Sequence, residues 1–264
     1  MTFAEIFGSP NGFLTVSLLA VCIAIAVFGL VSAVVSVWLM ISYAKYNRRP
    51  NSAGLTGEEI ARRILDANGL ENINVSTTGS FMFGNSYSRR YGKVRLRRFT
   101  RGEKSITAMA MGSEKAALAV LDKEGDPEMQ RRVKIYPIIT FGPFAFIPLI
   151  LVGVLLDVWL FHAEGYLTAV LSALGMLFYL FAIVLAFLTL HTEKKAQNRA
   201  CELLREQGLA TEEEIGDMKS LFRLYNVQYI NDIILSMLEV LYRVLRIAVL
   251  LTGKGGSSKK SHSR

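Results

Sequence analysis

The side chains that could bind a metal or attack a substrate are few and widely separated in this sequence. The chain has three histidines, His162, His191 and His262, and no two of them are four residues apart. Two histidines at that spacing on a helix are a common sign of a zinc site, because both imidazoles then lie on one face. The cysteines, Cys22 and Cys201, are too far apart to indicate a disulfide framework or a cysteine metal site. The sequence therefore contains no histidine pair or cysteine cluster for a metal.

Positive charge is concentrated between residues 89 and 104, where only Glu103 opposes eight cations. A basic patch facing the membrane would attract anionic headgroups, at about 1 kcal/mol per nearby cation. The alternative, which we favour, is a solvated strand face that adds to the cytoplasmic excess of positive charge. No nucleic-acid recognition motif accompanies the patch, so nucleic acid is not expected as a partner. The cations of this basic patch are Arg89, Arg90, Lys93, Arg95, Arg97, Arg98, Arg101 and Lys104.

Three long stretches without a charged residue must determine where any site can lie. They cover residues 13–44, 135–156 and 165–190 of a chain that is 52% hydrophobic. An uncharged apolar run beyond about 18 residues is typical of a membrane-spanning helix. The first stretch is about twice as long as the apolar part of a signal peptide and follows no Lys or Arg, so cleavage is not expected. We therefore predict three transmembrane helices.

The flanking charges predict the orientation of these spans. Lys and Arg follow the first span, precede the second and follow the third, but are absent from residues 1–12 and 161–165. Such residues accumulate on the cytoplasmic side. We expect a multi-pass protein of the cell membrane with its N-terminus outside and residues 45–134 and 191–228 in the cytoplasm. The flanking cations are Lys45, Arg48, Arg49, Arg131, Arg132, Lys134, Lys194, Lys195 and Arg199.

The polar segments show the patterns of a small α+β region. Thr56 and Glu59 form a capping box that begins a helix, and Thr211 and Glu214 form a second. Short apolar alternations predict strands at 73–76, 80–83 and 91–99. Further helices are expected at 104–123 and 191–207.

The segment 229–252 is long and apolar but carries four charged residues on one helical face, Asp232, Glu239, Arg243 and Arg246. Lipid would not tolerate this charged stripe, so it should face protein or water. We favour an amphipathic or membrane-packed helix at the inner surface over a fourth span, and a basic disordered tail at 253–264.

Residues 54–70, GLTGEEIARRILDANGL, resemble the first cytoplasmic segment of the bacterial membrane-bound neutral zinc metallopeptidases of the YugP type. The order of the other elements also matches: a V-R-L strand, read here as Val94-Arg95-Leu96, a helix, two spans and a helix that opens with a Glu. The likeness runs from about residue 10 to residue 252. The resemblance implies a membrane α+β protein with a zincin-like cytoplasmic region.

In that family two histidines of an H-E-x-x-H motif bind zinc, the Glu between them is the general base, and a later Glu completes the site. By position, the resemblance implies Glu114 as the general base and Glu193 as the third ligand. The histidine positions are occupied by Ser113 and Ala117. The family's D-H-Y-D-P motif is also changed, to Asn85-Ser86-Tyr87-Ser88-Arg89. We therefore expect no catalytic residue, no metal ligand and no bound zinc. We also expect the two carboxylates to lie close together, with Lys115, Lys194 or Lys195 to neutralise them.

The function that follows is that of an inactive relative, a scaffold or binding partner at the inner membrane face. Its expected partners are the lipid bilayer and other membrane proteins, including an active paralogue. One alternative is a peptidase with a non-standard metal site, and another is a small-solute transporter subunit. The expected organisation is a first span (1–45), a peptidase-like α+β region (46–134), a helical hairpin (135–190), helices that complete the fold (191–228), the amphipathic segment (229–252) and the tail (253–264).

Overall fold

The computed structural model of the chain describes residues 10–78, 84–156 and 166–258. These residues contain seven α-helices and three short strands. The helices are α1 (Pro10–Arg48), α2 (Gly57–Ala67), α3 (Arg98–Gly102), α4 (Ile106–Lys123), α5 (Pro127–Leu155), α6 (Tyr166–Glu206) and α7 (Glu212–Ser258). The strands are β1 (Asn74–Thr77), β2 (Ser86–Ser88) and β3 (Lys93–Leu96), and a single 3₁₀ turn covers Arg89–Tyr91.

The described residues divide into two compact units. The α+β unit comprises residues 35–78, 84–141 and 184–228, and the helical unit comprises residues 10–34, 142–156, 166–183 and 229–258. A hydrophobic core fills the α+β unit, with Ile60, Leu118 and Leu203 among its fully buried side chains. Helix α4 lies at the centre of this core, because every residue from Ile106 to Asp122 except Lys115 is buried. A charged side chain on α4 must therefore find its partners within the protein.

The sheet has the strand order β1-β3-β2. Strand β1 runs parallel to β3 with Val75 opposite Val94, and β2 runs antiparallel to β3 with Tyr87 also opposite Val94. In β3 the buried Val94 and Leu96 alternate with less buried residues, as the sequence pattern predicts. The sheet thus covers one side of the core with few residues.

Two glycines allow α2 and α4 to touch through their backbones. A Cβ atom on Gly112 would lie 2.4 Å from the carbonyl oxygen of Gly57. A Cβ atom on Gly57 would lie 2.9 Å from the carbonyl oxygen of Ala108 on α4, and 2.1 Å from that of Thr100 on α3. These distances exclude any side chain, so glycine at both positions sets how closely α2 and α4 pack.

The predicted strands are only partly correct. The strand expected at 73–76 is β1, shifted by one residue, and the strand expected at 80–83 lies outside the described residues. The strand expected at 91–99 is shorter: Gly92 adopts a left-handed conformation with φ of 55° and ends the preceding 3₁₀ turn, and α3 begins at Arg98. Strand β2 was not predicted, because three residues are too few for a recognisable alternation.

Two helices are long and apolar enough to cross a membrane, Leu14–Arg48 and Ala173–Glu206, among the residues described. Only 6% of the apolar window of the first is buried, so this helix is not the core helix of a soluble protein. Two of the three predicted spans thus coincide with helices of sufficient length and hydropathy. Residues 135–155 form part of the continuous helix α5, but their crossing of a membrane stays a prediction. The turn 161–165, with His162, lies outside the described residues.

The last two long helices differ from their predicted boundaries. The helix expected at 191–207 is the end of α6 and not a separate element. The amphipathic segment 229–252 belongs to α7, which continues to Ser258, so the first six residues of the expected disordered tail are helical. In the helical unit, the Asp232 carboxylate of the charged stripe accepts a hydrogen bond from Ser32 at 3.3 Å. The Glu239 carboxylate pairs with Arg243 at 3.8 Å. Residues 259–264, with His262, lie outside the described residues.

Candidate functional site

The two carboxylates singled out in the sequence, Glu114 on α4 and Glu193 on α6, meet at one ammonium group. The Lys115 Nζ atom lies 3.0 Å from Glu114 Oε2 and 3.2 Å from Glu193 Oε2. Arg132 on α5 approaches the other oxygen of Glu193, with its Nη2 atom 2.5 Å from Oε1. The side chains of Glu114, Lys115 and Arg132 are 6%, 12% and 10% exposed, so water screens these ion pairs little. We call Glu114, Lys115, Arg132 and Glu193 the buried charge cluster.

Helix geometry explains how the buried charge cluster forms. Between Ile106 and Asp122, Lys115 is the one residue of α4 that is not buried. Its long side chain allows the ammonium group to reach carboxylates that compensate its charge. Glu193 follows the uncharged stretch that ends at Leu190, and Arg132 precedes the one that begins at Ile135. The cluster therefore connects the central helix with the polar ends of two long apolar helices.

The charges of the cluster shift the pKa values of its members in different directions. Burial raises the pKa of Glu193, but Lys115 and Arg132 outweigh burial and lower this pKa to about 2. For Glu114, burial and the negative charge of Glu193 outweigh the attraction of Lys115, so its pKa is raised. Burial lowers the pKa of Lys115, but the two carboxylates outweigh it and leave this pKa raised. Lys115 is thus held as a cation, and Glu193 as an anion.

Two amides complete the surroundings of Glu114. Gln197 donates from Nε2 to Glu114 Oε1 at 3.1 Å and to Asn226 Oδ1 at 3.2 Å. Asn226 donates from Nδ2 back to Gln197 Oε1 at 2.8 Å. Both carboxylate oxygens of Glu114 are therefore engaged, one by the ammonium of Lys115 and one by an amide.

The positions at which the resemblance implies histidines carry structural side chains. The Ser113 hydroxyl donates to the carbonyl oxygen of Ala110 at 3.1 Å, one turn back on α4. Ala117 is fully buried in the hydrophobic core. Neither side chain offers an imidazole, and the hydroxyl is committed to the helix backbone.

The altered segment from Asn85 to Arg89 is tied to the end of α4. The Tyr87 hydroxyl donates to Asp122 Oδ2 at 2.8 Å, and Arg89 also pairs with Asp122. Burial and the bond to Asp122 raise the pKa of Tyr87, so the phenol stays protonated and donates. Asn85 accepts the backbone N–H of Arg97 at 2.7 Å. The segment thus holds β2 against α4 through its polar side chains.

The basic patch is not uniformly available to a ligand. Arg89 pairs with Asp122, and Arg101 pairs with Glu58 through Nε at 2.6 Å. The guanidinium carbons of Arg90 and Arg95 lie 5.9 and 5.3 Å from the ring centre of Tyr91. Five cations of the patch are exposed, Arg89, Arg90, Arg97, Arg98 and Lys104, and of these Arg89 is already paired. The exposed charge is therefore smaller than the sequence count.

Sequence reasoning missed three members of this arrangement: Arg132, Gln197 and Asn226. Gln197 had a usable signal, because it lies one helical turn after Glu193 on the same face of α6. Arg132 was noted only as a charge that sets orientation. Asn226 had no local signal, because its contact with Gln197 depends on how α7 packs. Of the three lysines expected to neutralise the carboxylates, Lys115 does so, while Lys195 pairs with Asp126.

Comparison with known proteins shows what this chain is similar to. Residues 21–248 match the family model described as "Putative neutral zinc metallopeptidase". The chain is also 27% identical over 213 residues to "Putative membrane protease YugP" of Bacillus subtilis (strain 168), covering 81% of this chain and 88% of the relative. No solved structure matches the chain. Together with the two long apolar helices, this similarity indicates a membrane-associated protein.

The similarity corrects one expectation from the sequence. We predicted that the chain has no cofactor, and that prediction is wrong, because a match to a family of zinc metallopeptidases implies zinc. The residues at the implied ligand positions do not fit a zinc ion in the described geometry. Ser113 and Ala117 supply no nitrogen ligand, and the carboxylates of Glu114 and Glu193 are both held by Lys115. No group of three or more His, Cys, Asp or Glu side chains suited to a metal occurs within residues 10–78, 84–156 and 166–258.

Proposed function

Because the chain belongs to the neutral zinc metallopeptidase family over residues 21–248, we propose that it keeps the family's scaffold without hydrolysing peptides. In this proposal it serves as a scaffold or binding partner at the inner face of the membrane. One observation carries the proposal: a single ammonium group, that of Lys115, lies against both carboxylates that the family would use in catalysis.

A general base must reach a water molecule with a free carboxylate oxygen. Glu114 is buried, and its two oxygens lie against Lys115 and Gln197. Glu193, the implied third ligand, is likewise shared between Lys115 and Arg132. The oxygens of both carboxylates are therefore engaged by donors of the protein, and none is left for a water molecule. The buried charge cluster thus favours a structural role over a catalytic one.

The membrane arrangement in this proposal has three spans, the third being residues 135–156 within α5. The N-terminus lies outside, and residues 46–134 and 191–228 form the cytoplasmic part. Both ranges fall within the α+β unit, which supports the division. The exposed cations of the basic patch, including Arg90 and Arg98, then face the anionic inner leaflet or the water next to it.

A second candidate function is a membrane peptidase whose zinc is held by ligands other than residues 113, 117 and 193. Family membership favours this candidate, since the family implies zinc. It differs from the first in one measurable respect. A working peptidase needs a general base, whereas a scaffold does not.

The first prediction is that Glu114→Gln leaves function unchanged. Gln keeps the size of the side chain, and there is no proton transfer to lose. We expect neither the purified full-length chain nor its Glu114→Gln variant, in detergent with zinc and a fluorescent protein substrate, to show hydrolysis above a protein-free control. Cells that carry the variant should resemble cells that carry the unchanged chain, at equal protein levels.

Loss of a zinc-dependent hydrolysis by about 10²- to 10⁴-fold in Glu114→Gln would contradict the proposal and favour the peptidase. The scaffold role is tested by cross-linking and pull-down from native membranes. Recovery of an H-E-x-x-H paralogue or another membrane protein with both the unchanged chain and Glu114→Gln would support a role that does not depend on catalysis. If no membrane protein is recovered with the unchanged chain or with Glu114→Gln, the scaffold role is contradicted.

A further inference from the structure

A cavity of about 350 Å³ lies in the α+β unit between the start of α5 and the polar end of α6. Its lining is divided by chemistry. Arg131, Arg132 and His191 supply nitrogen donors, and Ile135, Phe187 and Leu188 supply apolar surface. Glu128 and Thr192 complete the lining. The cavity therefore offers both a site for an anion and a surface for hydrocarbon.

The cavity lies at a boundary that is visible in the sequence. Arg131 and Arg132 come just before the uncharged stretch that begins at Ile135. Phe187 and Leu188 are the last exposed apolar residues before His191 on α6. A pocket at this point has its apolar wall towards the hydrocarbon and its cations towards the headgroups, if the two stretches cross the membrane as proposed.

We propose that this cavity binds one anionic phospholipid, with the phosphate at Arg131 and His191 and the start of an acyl chain along Phe187 and Leu188. Basic pockets between membrane helices on the cytoplasmic side are suited to such headgroups. Arg131 is exposed, and the His191 side chain is 75% exposed, so both can approach a ligand. This inference rests on the proposed membrane arrangement and not on the proposed absence of catalysis.

The contacts around the cavity assign different roles to its charged residues. Arg132 lines the cavity, but its guanidinium is held by the ion pair with Glu193. It therefore adds positive charge to the cavity and is not free to move towards a ligand. Glu128 Oε1 lies 3.2 Å from His191 Nε2, so this carboxylate holds the imidazole within the lining of the cavity. A bound lipid would place the His191 side chain between the Glu128 carboxylate and the phosphate. It would also connect the headgroup, through Arg132, with the buried charge cluster.

The test measures lipid retention by the full-length chain with native mass spectrometry after reconstitution in mixed micelles. The variants are Arg131→Ala, and Arg131→Ala combined with His191→Ala. Lys134→Ala is the control, because Lys134 is an exposed cation one turn further along α5 that does not line the cavity. We expect occupancy by phosphatidylglycerol to fall about fivefold in Arg131→Ala and further in the double variant. Lys134→Ala should retain the lipid as the unchanged chain does.

The head and tail contributions are separated by competition. Glycerol phosphate has the phosphate but no acyl chain, so at equal concentration it should not displace the lipid. Phe187→Ser, which makes the apolar wall polar, should weaken retention of the lipid. Equal displacement by glycerol phosphate, or no effect of Phe187→Ser, would overturn the assignment to a lipid. Equal loss in Arg131→Ala and Lys134→Ala would overturn the cavity as the site, since the effect would then be general surface charge.

A labelling control separates failure of this inference from failure of the membrane arrangement. A single cysteine at Lys194 should react with an impermeant maleimide only from the cytoplasmic side. Labelling from the outside would overturn both the arrangement and the lipid site. Labelling as expected, with unchanged lipid retention in the double variant, would overturn the lipid site alone.

Discussion

At the scale of single residues, Lys115 decides the character of the candidate site. Its ammonium lies within 3.2 Å of both Glu114 and Glu193, in surroundings where an unpaired charge is costly. The two carboxylates without this cation would repel each other. Lys115 thus makes a pair of buried acids compatible with a folded core.

Replacing Lys115 by Met should destabilise the protein. The change leaves two buried carboxylates without their shared partner, which typically costs about 3–5 kcal/mol. For a chain of this size we expect Tm to fall by roughly 10 °C, measured by circular dichroism in detergent. Lys194→Met is the matched control, since Lys194 is an exposed neighbour of Glu193.

Adding Glu114→Gln to Lys115→Met should recover part of the lost stability, because it removes the carboxylate that has lost its cation, while Glu193 keeps its ion pair with Arg132. An unchanged Tm in Lys115→Met would mean that the buried charge cluster does not form. Equal losses in Lys115→Met and Lys194→Met would lead to the same conclusion.

At the scale of elements, the crossing of α2 and α4 depends on two backbones in contact. Gly112 lies against the carbonyl group of Gly57, and this contact positions the helix that carries Glu114 and Lys115. A methyl group cannot be accommodated there without moving one of the helices.

Gly112→Ala should therefore lower stability by about 1–3 kcal/mol, the usual cost of overpacking. Gly216→Ala is the control, because Gly216 lies in α7 with no atom within 4 Å of a built Cβ. Alanine there should raise stability by about 0.5–1 kcal/mol through its helix propensity. Thermal unfolding of both variants checks the prediction, and a stabilising Gly112→Ala would contradict the close crossing.

The start of α7 is fastened to the loop before α2 by one carboxylate. Glu214 accepts the backbone N–H and the hydroxyl of Ser52, both at 2.6 Å, and the backbone N–H of Thr211 at 2.8 Å. Burial alone would raise the pKa of Glu214, but these hydrogen bonds outweigh it and hold the pKa below its ordinary value. The predicted capping box thus also makes a tertiary contact.

The lowered pKa of Glu214 predicts how stability depends on pH. A carboxylate whose folded pKa is lower than its unfolded pKa contributes stability that is present above the unfolded value and lost as pH falls through the folded value. Glu214→Gln should therefore be less stable than the unchanged chain at pH 7, and the difference should shrink on going from about pH 5 to pH 3.

The measurement is Tm against pH for the two proteins, with Glu71→Gln as a control at an exposed position. A constant difference between Glu214→Gln and the unchanged chain across this range would show that the charge of Glu214 does not stabilise the fold.

At the scale of the whole molecule, charge and hydropathy divide the chain into parts for different surroundings. The α+β unit contains the hydrophobic core and the buried charge cluster. The long apolar helices expose large hydrophobic side chains such as Leu30 and Leu177, at 68% and 63%. Such surfaces require lipid or a partner protein.

The proposed orientation predicts which positions an impermeant reagent can reach in intact cells. In a background with Cys22→Ser and Cys201→Ala, a cysteine at Thr2 should label from outside. Cysteines at Arg63 and Lys194 should label only after the membrane is opened, because the flanking cations favour the cytoplasmic side. Labelling of Arg63→Cys in intact cells would contradict the arrangement.

The sequence by itself determined the local elements of this protein. Capping boxes at Thr56 and Thr211 and the long uncharged stretches depend on neighbouring residues, so they are visible without a fold. Strand β2 and the boundaries of β3 were not predictable in this way, because short strands form only where partners in the sheet are present. The family was recognisable from residues 54–70 and from the order of elements, although Ser113 and Ala117 stand at the implied histidine positions.

Only the tertiary structure decided what the candidate site is made of. The sequence pointed to Glu114 and Glu193, but which cation lies between them depends on how α4, α5 and α6 pack, and Arg132, Gln197 and Asn226 come from distant parts of the chain. Ion pairs and buried amides are set by distances of a few ångströms between helices, and sequence spacing does not determine such distances. The same holds for the cavity beside Arg131, whose two walls come from α5 and α6 and so lie far apart in the sequence and adjacent in the fold.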